Sequence, residues 1–170
     1  YDNTGGDVGE FIEVAGTAGT DLSQYQIVLY NGTGGAPYNT IVLSGLIDNE
    51  AGGFGAVSFA YPVNGIQNGA PDAIALATTS GIVLQFLSYE GAFVAVGGVA
   101  NGMMSTDIGV LELGTEPVGQ SLQLTGAGQQ YSDFTWVGPL VASAGTLNAG
   151  QTLAPLPGVV PALFSQMIEA

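Results

Sequence analysis

The sequence predicts an all-β fold of the sandwich or barrel class, and two observations carry that expectation. Apolar runs are short, rich in Val, Ile, Leu, Phe and Tyr, and bounded by Gly, Asn and Asp clusters, the pattern of strands and their turns. The runs recur about every ten residues, the spacing of many short strands folded back and forth. No stretch before residue 160 carries a capped helical period.

Taken in order, Glu10–Ala15 opens the series behind Gly9 with Phe11, Ile12 and Val14. Gln24–Tyr30 holds Ile27, Val28 and Leu29 between two tyrosines, and Asn31–Gly35 follows as a Gly-rich hairpin tip. Thr40–Ser44 and Ala56–Tyr61 are the next two runs. Ala73–Thr78 and Ile82–Ser88 flank Thr79-Ser80-Gly81, which reads as a tight hairpin. Gly91–Glu116, with Gly97-Gly98, Asn101-Gly102 and few periodic apolar residues, is expected to be a long ordered loop. Ser121–Leu124 and Phe134–Val137 complete the series. Phe59, Phe86 and Trp136 fall inside these runs and read as core rather than as a sugar-stacking platform.

The chain then changes character. Pro155, Pro157 and Pro161 make residues 154–161 an extended, Pro-rich linker after a domain spanning 1–153. In the tail, 162–170, Leu163, Phe164, Met167 and Ile168 fit one face of a short helix, and equally a short strand.

Composition excludes whole classes of chemistry. The 170 residues contain no Lys, Arg, His or Cys against 14 Asp and Glu, a formal net charge of −14. Nothing neutralises phosphate, so nucleic acid is not an expected partner. There is no imidazole, thiolate or amine, which removes triads, Schiff bases and soft-metal sites. A Walker loop is impossible without Lys, and the 28 glycines read as turn residues. At 46% hydrophobic residues the chain is too apolar for disorder. No apolar window is long enough to span a membrane as a helix. The first residue is Tyr1 rather than Met, which suggests a processed, secreted product.

Ordered segments along residues 1–153 resemble the bacterial lamin-tail domain family. They begin with Tyr1-Asp2-Asn3-Thr4-Gly5-Gly6-Asp7-Val8-Gly9-Glu10-Phe11-Ile12-Glu13-Val14 and continue through Gly19-Thr20-Asp21-Leu22-Ser23 and Ile27-Val28-Leu29-Tyr30-Asn31-Gly32. The pattern is renewed in Phe59-Ala60-Tyr61-Pro62, in Asn64 to Asp72 and in Gln85-Phe86-Leu87-Ser88-Tyr89-Glu90-Gly91. Met104 to Gly109, Gly119 to Gln123 and Asn148 to Thr152 complete it. The resemblance implies an immunoglobulin-like β-sandwich serving as a non-catalytic module of secreted and surface proteins. Members of that family carry an apolar strand just before the Tyr-Asp-Asn segment. This sequence opens at Tyr1, so an open strand position is expected, with the tail carrying Leu163, Phe164, Met167 and Ile168 as its candidate occupant. Filled from the same chain, that position gives a permuted monomer. Filled from a neighbour, it gives a head-to-tail fibre.

With no cationic side chain available, each carboxylate must face water, accept backbone or hydroxyl hydrogen bonds, or hold an external cation. Asp2, Asn3, Asp7, Glu10 and Glu13 are the densest oxygen-donor group, with Asp2, Asn3, Asp7 and Glu10 the candidate Ca²⁺ ligands, and Asn68 with Asp72 and Glu90 with Asp107 are second-tier oxygen groups. Acidic pairs such as Glu10 with Glu13, or Asp72 with Glu90, are also what glycoside hydrolysis uses, but availability is their only support, and no enzyme is expected. Asn31-Gly32-Thr33 is a glycosylation sequon on a hairpin tip. The expectation that collects these readings is an extracellular structural protein, self-associating into a filament or sheath through the tail and stabilised by Ca²⁺. The alternative is a monomeric accessory module that binds a cell surface or polysaccharide.

Overall fold

The computed structural model describes residues 6–153 and 164–168. Among the described residues, eleven strands and two single 3-10 turns make up the regular structure, and the all-β, two-sheet make-up that a β-sandwich requires is what the sequence predicts. Each sheet forms its own compact unit. One draws on Tyr1–Asp21, Leu46–Gly65 and Glu112–Ala170, the other on Leu22–Gly45 and Ile66–Leu111.

The first sheet is built on β1 (Phe11–Thr17), antiparallel to β4 (Phe54–Ala60) in a register that runs from Phe11↔Ala60 to Thr17↔Phe54. On the other side of β1 lies β11 (Phe164–Ile168), and beyond it β8 (Gln120–Gly128). β8 pairs with β9 (Phe134–Val141) along one edge. Along its opposite edge it meets β11 at Leu122 and Gln123 and the short parallel β10 (Gln151–Leu153) at Gly126–Gly128. β1 is buried from Phe11 to Gly16, which is why it reads as a nearly continuous apolar run rather than an alternating one.

The second sheet has the order β3-β2-β5-β6-β7. β2 (Tyr25–Asn31), β3 (Pro37–Val42), β5 (Asp72–Thr78) and β6 (Val83–Tyr89) are joined antiparallel, and β7 (Thr106–Asp107) adds a two-residue parallel edge. One of its faces carries Val28, Tyr30, Ala73, Ala75 and Phe86, with Ala95 and Ala100 packed against them. The expected long loop is thus a folded cover. Val94 bridges Met104, Ala95 accepts and donates across the turn to Gly102 and Met103, and Phe93 packs edge-on to Phe86 at 5.9 Å. The Tyr30 hydroxyl pins this cover by accepting the Ala100 N–H at 2.9 Å and donating to the Gly97 carbonyl at 3.3 Å. Gly98 (φ +62) passes so close that an added Cβ would lie 2.4 Å from that hydroxyl.

Most predicted strands coincide with observed ones. The Thr40–Ser44 run is displaced, because the paired segment starts at Pro37 and stops at Val42. The linker, 154–161, lies outside the described residues. In the tail, the described part, Phe164–Ile168, is a strand, which decides between the two readings that periodicity left open.

Candidate functional site

The place of β11 is the feature that most constrains function. It lies in the interior of its sheet, paired on one side as Ile12↔Ile168, Glu13↔Met167, Val14↔Ser165 and Ala15↔Phe164, and on the other as Ile168↔Leu122 and Met167↔Gln123. Ile12, Ile168 and Leu122 therefore form one row across three strands, and all three are fully buried, at 0%, 0% and 1% exposure. Ile168 anchors the strand. Of the residues expected to mediate assembly, Phe164 and Met167 pair through their backbones in this slot, and Leu163 lies outside the described residues. Removing β11 would strip hydrogen-bond partners from β1 at residues 12–15 and from β8 at 122–123, a row of orphaned backbone groups.

Carboxylates close the rest of this unit. Glu13, wholly buried in β1, accepts the Gly145 N–H from the segment that follows β9. Glu50 reaches the same segment, with Oε2 accepting from Leu147 at 2.6 Å while Oε1 takes the Ala56 N–H at 2.7 Å. Glu10 accepts the Gly65 N–H at 2.7 Å, and Asp133 accepts those of Gln129 and Gln130 at 2.8 and 3.0 Å. In the second unit Asp72 is 1% exposed and takes one N–H on each oxygen, Gly32 on Oδ1 and Gly69 on Oδ2, both at 2.8 Å. Charge-assisted bonds of this kind are short and strong for a neutral donor. They do for loops what Lys and Arg pairs do in ordinary domains.

Of the expected Ca²⁺ ligands, Asp2 and Asn3 lie outside the described residues. Asp7 is buried, with its backbone N–H donated to Asn64 Oδ1 at 3.0 Å, and Glu10 faces Gly65. Among the described residues no group of three or more Asp, Glu, His or Cys converges as a metal centre. Glu90 and Asp107, far apart in sequence, do come to one cleft of about 470 Å³ together with Ala70, Gly91, Gly109, Val110 and Leu111. Asn31 is half-buried and engaged at both ends of its amide, Nδ2 donating to Gln67 Oε1 at 2.5 Å and Oδ1 accepting from Thr33 at 2.7 Å. The described aromatic side chains outside β11 are buried or half-buried.

The titrations follow from these contacts. Hydrogen bonds from Gln129 and Gln130 hold Asp133 below the ordinary carboxylate value. Glu116 is pushed up by burial, but the backbone N–H groups of Leu113, Thr115, Glu116 and Gly114 outweigh that and bring it below. Burial raises Asp72, against its two backbone donors, and raises Tyr131, which accepts the Trp136 indole N–H at 2.9 Å. A lowered carboxylate stabilises the fold fully above its unfolded value, about pH 4, and the contribution is lost as pH falls through the lowered folded value. Asp72 works in the opposite sense, its ionised form opposing folding until acid protonates it. Thermal melts of Asp133→Asn should therefore show a flatter decline below about pH 4 than the parent chain. An unchanged acid limb would remove Asp133 from the list of acid-labile staples.

The fold is an all-β, sandwich-like module in which β11 fills an interior strand position and carboxylate-to-backbone bonds hold the loops. No protein-family model matches the chain, and no match is found among the curated proteins or the solved structures. No helix among the described residues is long and apolar enough to cross a membrane.

Proposed function

We propose that this chain is an extracellular structural subunit that assembles head to tail into a filament or sheath, each copy donating its Phe164–Ile168 strand to the slot between β1 and β8 of the next. One observation carries the reading. The slot is an interior position in which the strand is paired on both sides and anchored by a buried Ile168. An interior strand at the far side of a Pro-rich linker makes the same hydrogen bonds whether it arrives from its own chain or from another. The competition is set by concentration, since a tether raises the local concentration of a chain's own strand above that of its neighbours'. Crowding at a surface, or a linker too short to fold back, tips the balance to exchange.

The lack of any imidazole, thiolate or amine supports a role without turnover, and the lamin-tail resemblance supports a secreted module. The charge of −14 makes neighbouring copies repel, so divalent cations such as Ca²⁺ favour the assembled form. Deleting residues 156–159 from the linker should convert monomer into a ladder of dimers and longer species on a sizing column, with fibres in electron micrographs. The ladder should lengthen with millimolar calcium and shorten in chelator. A shortened chain that stays monomeric and folded at high concentration defeats strand exchange. Affinity of such a monomer for a polysaccharide would favour the accessory-module reading instead.

A further inference from the structure

Four Asn-Gly steps occur in the sequence, Asn31-Gly32, Asn64-Gly65, Asn68-Gly69 and Asn101-Gly102. Asn-Gly is the dipeptide most prone to spontaneous deamidation, because glycine lets its backbone nitrogen approach the asparagine Cγ without a Cβ in the way. That nitrogen loses its proton and attacks Cγ, ammonia leaves, and a cyclic imide forms. Water then opens the imide to aspartate or isoaspartate, so the net change is water added and ammonia lost. In this fold all four glycine N–H groups are donated elsewhere. Gly32 and Gly69 give theirs to the two oxygens of Asp72, Gly65 gives its own to Glu10 Oε2 and the Pro62 carbonyl, and Gly102 gives its own to the Ala95 carbonyl at 2.8 Å.

We propose that Asp72 and Glu10 are chemical guards: buried carboxylates that hold the attacking nitrogens of Asn31-Gly32, Asn68-Gly69 and Asn64-Gly65 and so suppress imide formation. Two physical effects act together. The N–H is committed in a short bond to an acceptor other than Cγ, and a fixed negative charge beside it makes a second, amide anion harder to form. Two of these asparagines are held as well, Asn31 by Gln67 and Thr33, and Asn64 Oδ1 by the Asp7 N–H. At the fourth step Asn101 Oδ1 likewise accepts the Gly97 N–H at 2.7 Å, but the glycine N–H meets only a neutral carbonyl with no carboxylate beside it, and both Asn101 and Gly102 are exposed. Asn101 is the weak point. The inference is independent of strand exchange, and it gives two buried acids of a chain without cations a task that apolar residues could not perform.

The test is a time course at mildly alkaline pH on the full chain, read by peptide mapping after chymotrypsin-type digestion, since the sequence offers no site for trypsin. In the native chain Asn101 should convert first. Asn31, Asn64 and Asn68 should convert about tenfold or more slowly than in urea, the factor equivalent to one pKa unit of added cost for the anion. Asp72→Ala should release Asn31 and Asn68 but leave Asn64 slow, and Glu10→Ala should do the reverse. That crossed pattern separates local release from unfolding, which would free all four steps at once. If the three sites convert natively at their unfolded rate, or if neither variant releases its own sites selectively, the guard assignment is overturned.

Discussion

Ile168→Ala should cost the fold about 2–5 kcal/mol, the range for truncating a fully buried Leu, Ile or Met. Ile168 is 0% exposed and lies in the buried row with Ile12 and Leu122, so the lost methyl groups leave a gap walled by two strands that must hold their own pairings. Denaturant titration is the direct measurement. The midpoint should fall with the slope unchanged, because the surface exposed on unfolding barely alters. The backbone of β11 pairs at only two positions with β8 and at four with β1, so the side-chain anchor carries much of what seats the strand. A loss under about 0.5 kcal/mol, the level of an ordinary surface change, would mean that β11 is not seated in the slot.

Gly32→Ala should cost about 3 kcal/mol, the upper end for overpacking a tight site. A Cβ at Gly32 would fall 1.7 Å from the Pro71 carbonyl oxygen and 2.7 Å from its carbon, so no side-chain rotation relieves the overlap. The backbone itself has to move. It is held there by the Gly32 bond to Asp72, by Asn31 on Gln67 and by Gln67 between the Tyr38 and Tyr89 hydroxyls, so the displacement spreads through the whole end of the second sheet. Melting temperature and amide hydrogen exchange at Gly69 and Gln67 report this, and a variant melting within a degree or two of the parent would show that the turn has slack.

Much of this architecture is legible in the residues, for reasons that also mark where legibility ends. β1, β2, β5 and β6 are runs of branched and aromatic residues closed by Gly, Asn or Ser, and such runs announce themselves. β3 is half-exposed along its length, so no buried pattern marks its register, and pairing with β2 alone sets its bounds. β10 is three residues long and exists only because β8 offers it an edge. The tail sequence suits helix and strand alike, and within it the edges of β1 and β8 make Phe164–Ile168 a strand. The carboxylates divide in the same way. That they need partners other than cationic side chains follows from composition. Which partners they take does not, because Glu10 finds Gly65 and Glu13 finds Gly145, 55 and 132 positions away. Local patterns such as Asn68-Gly69-Ala70-Pro71-Asp72 and Gln129 to Asp133 are the exception. There the acid returns to a turn amide three or four residues back, a signal that turn chemistry makes readable.

The staples set how the fold responds to brine. In most proteins, rising ionic strength has two opposed effects, weakening attraction between unlike side-chain charges and easing repulsion between like ones. This chain has no unlike side-chain charges, and its acids grip backbone dipoles at contact distance, often in buried positions where mobile ions do not reach. Added electrolyte therefore finds mainly repulsion to dissipate. A polymer of such subunits would tighten rather than loosen as its surroundings become saltier.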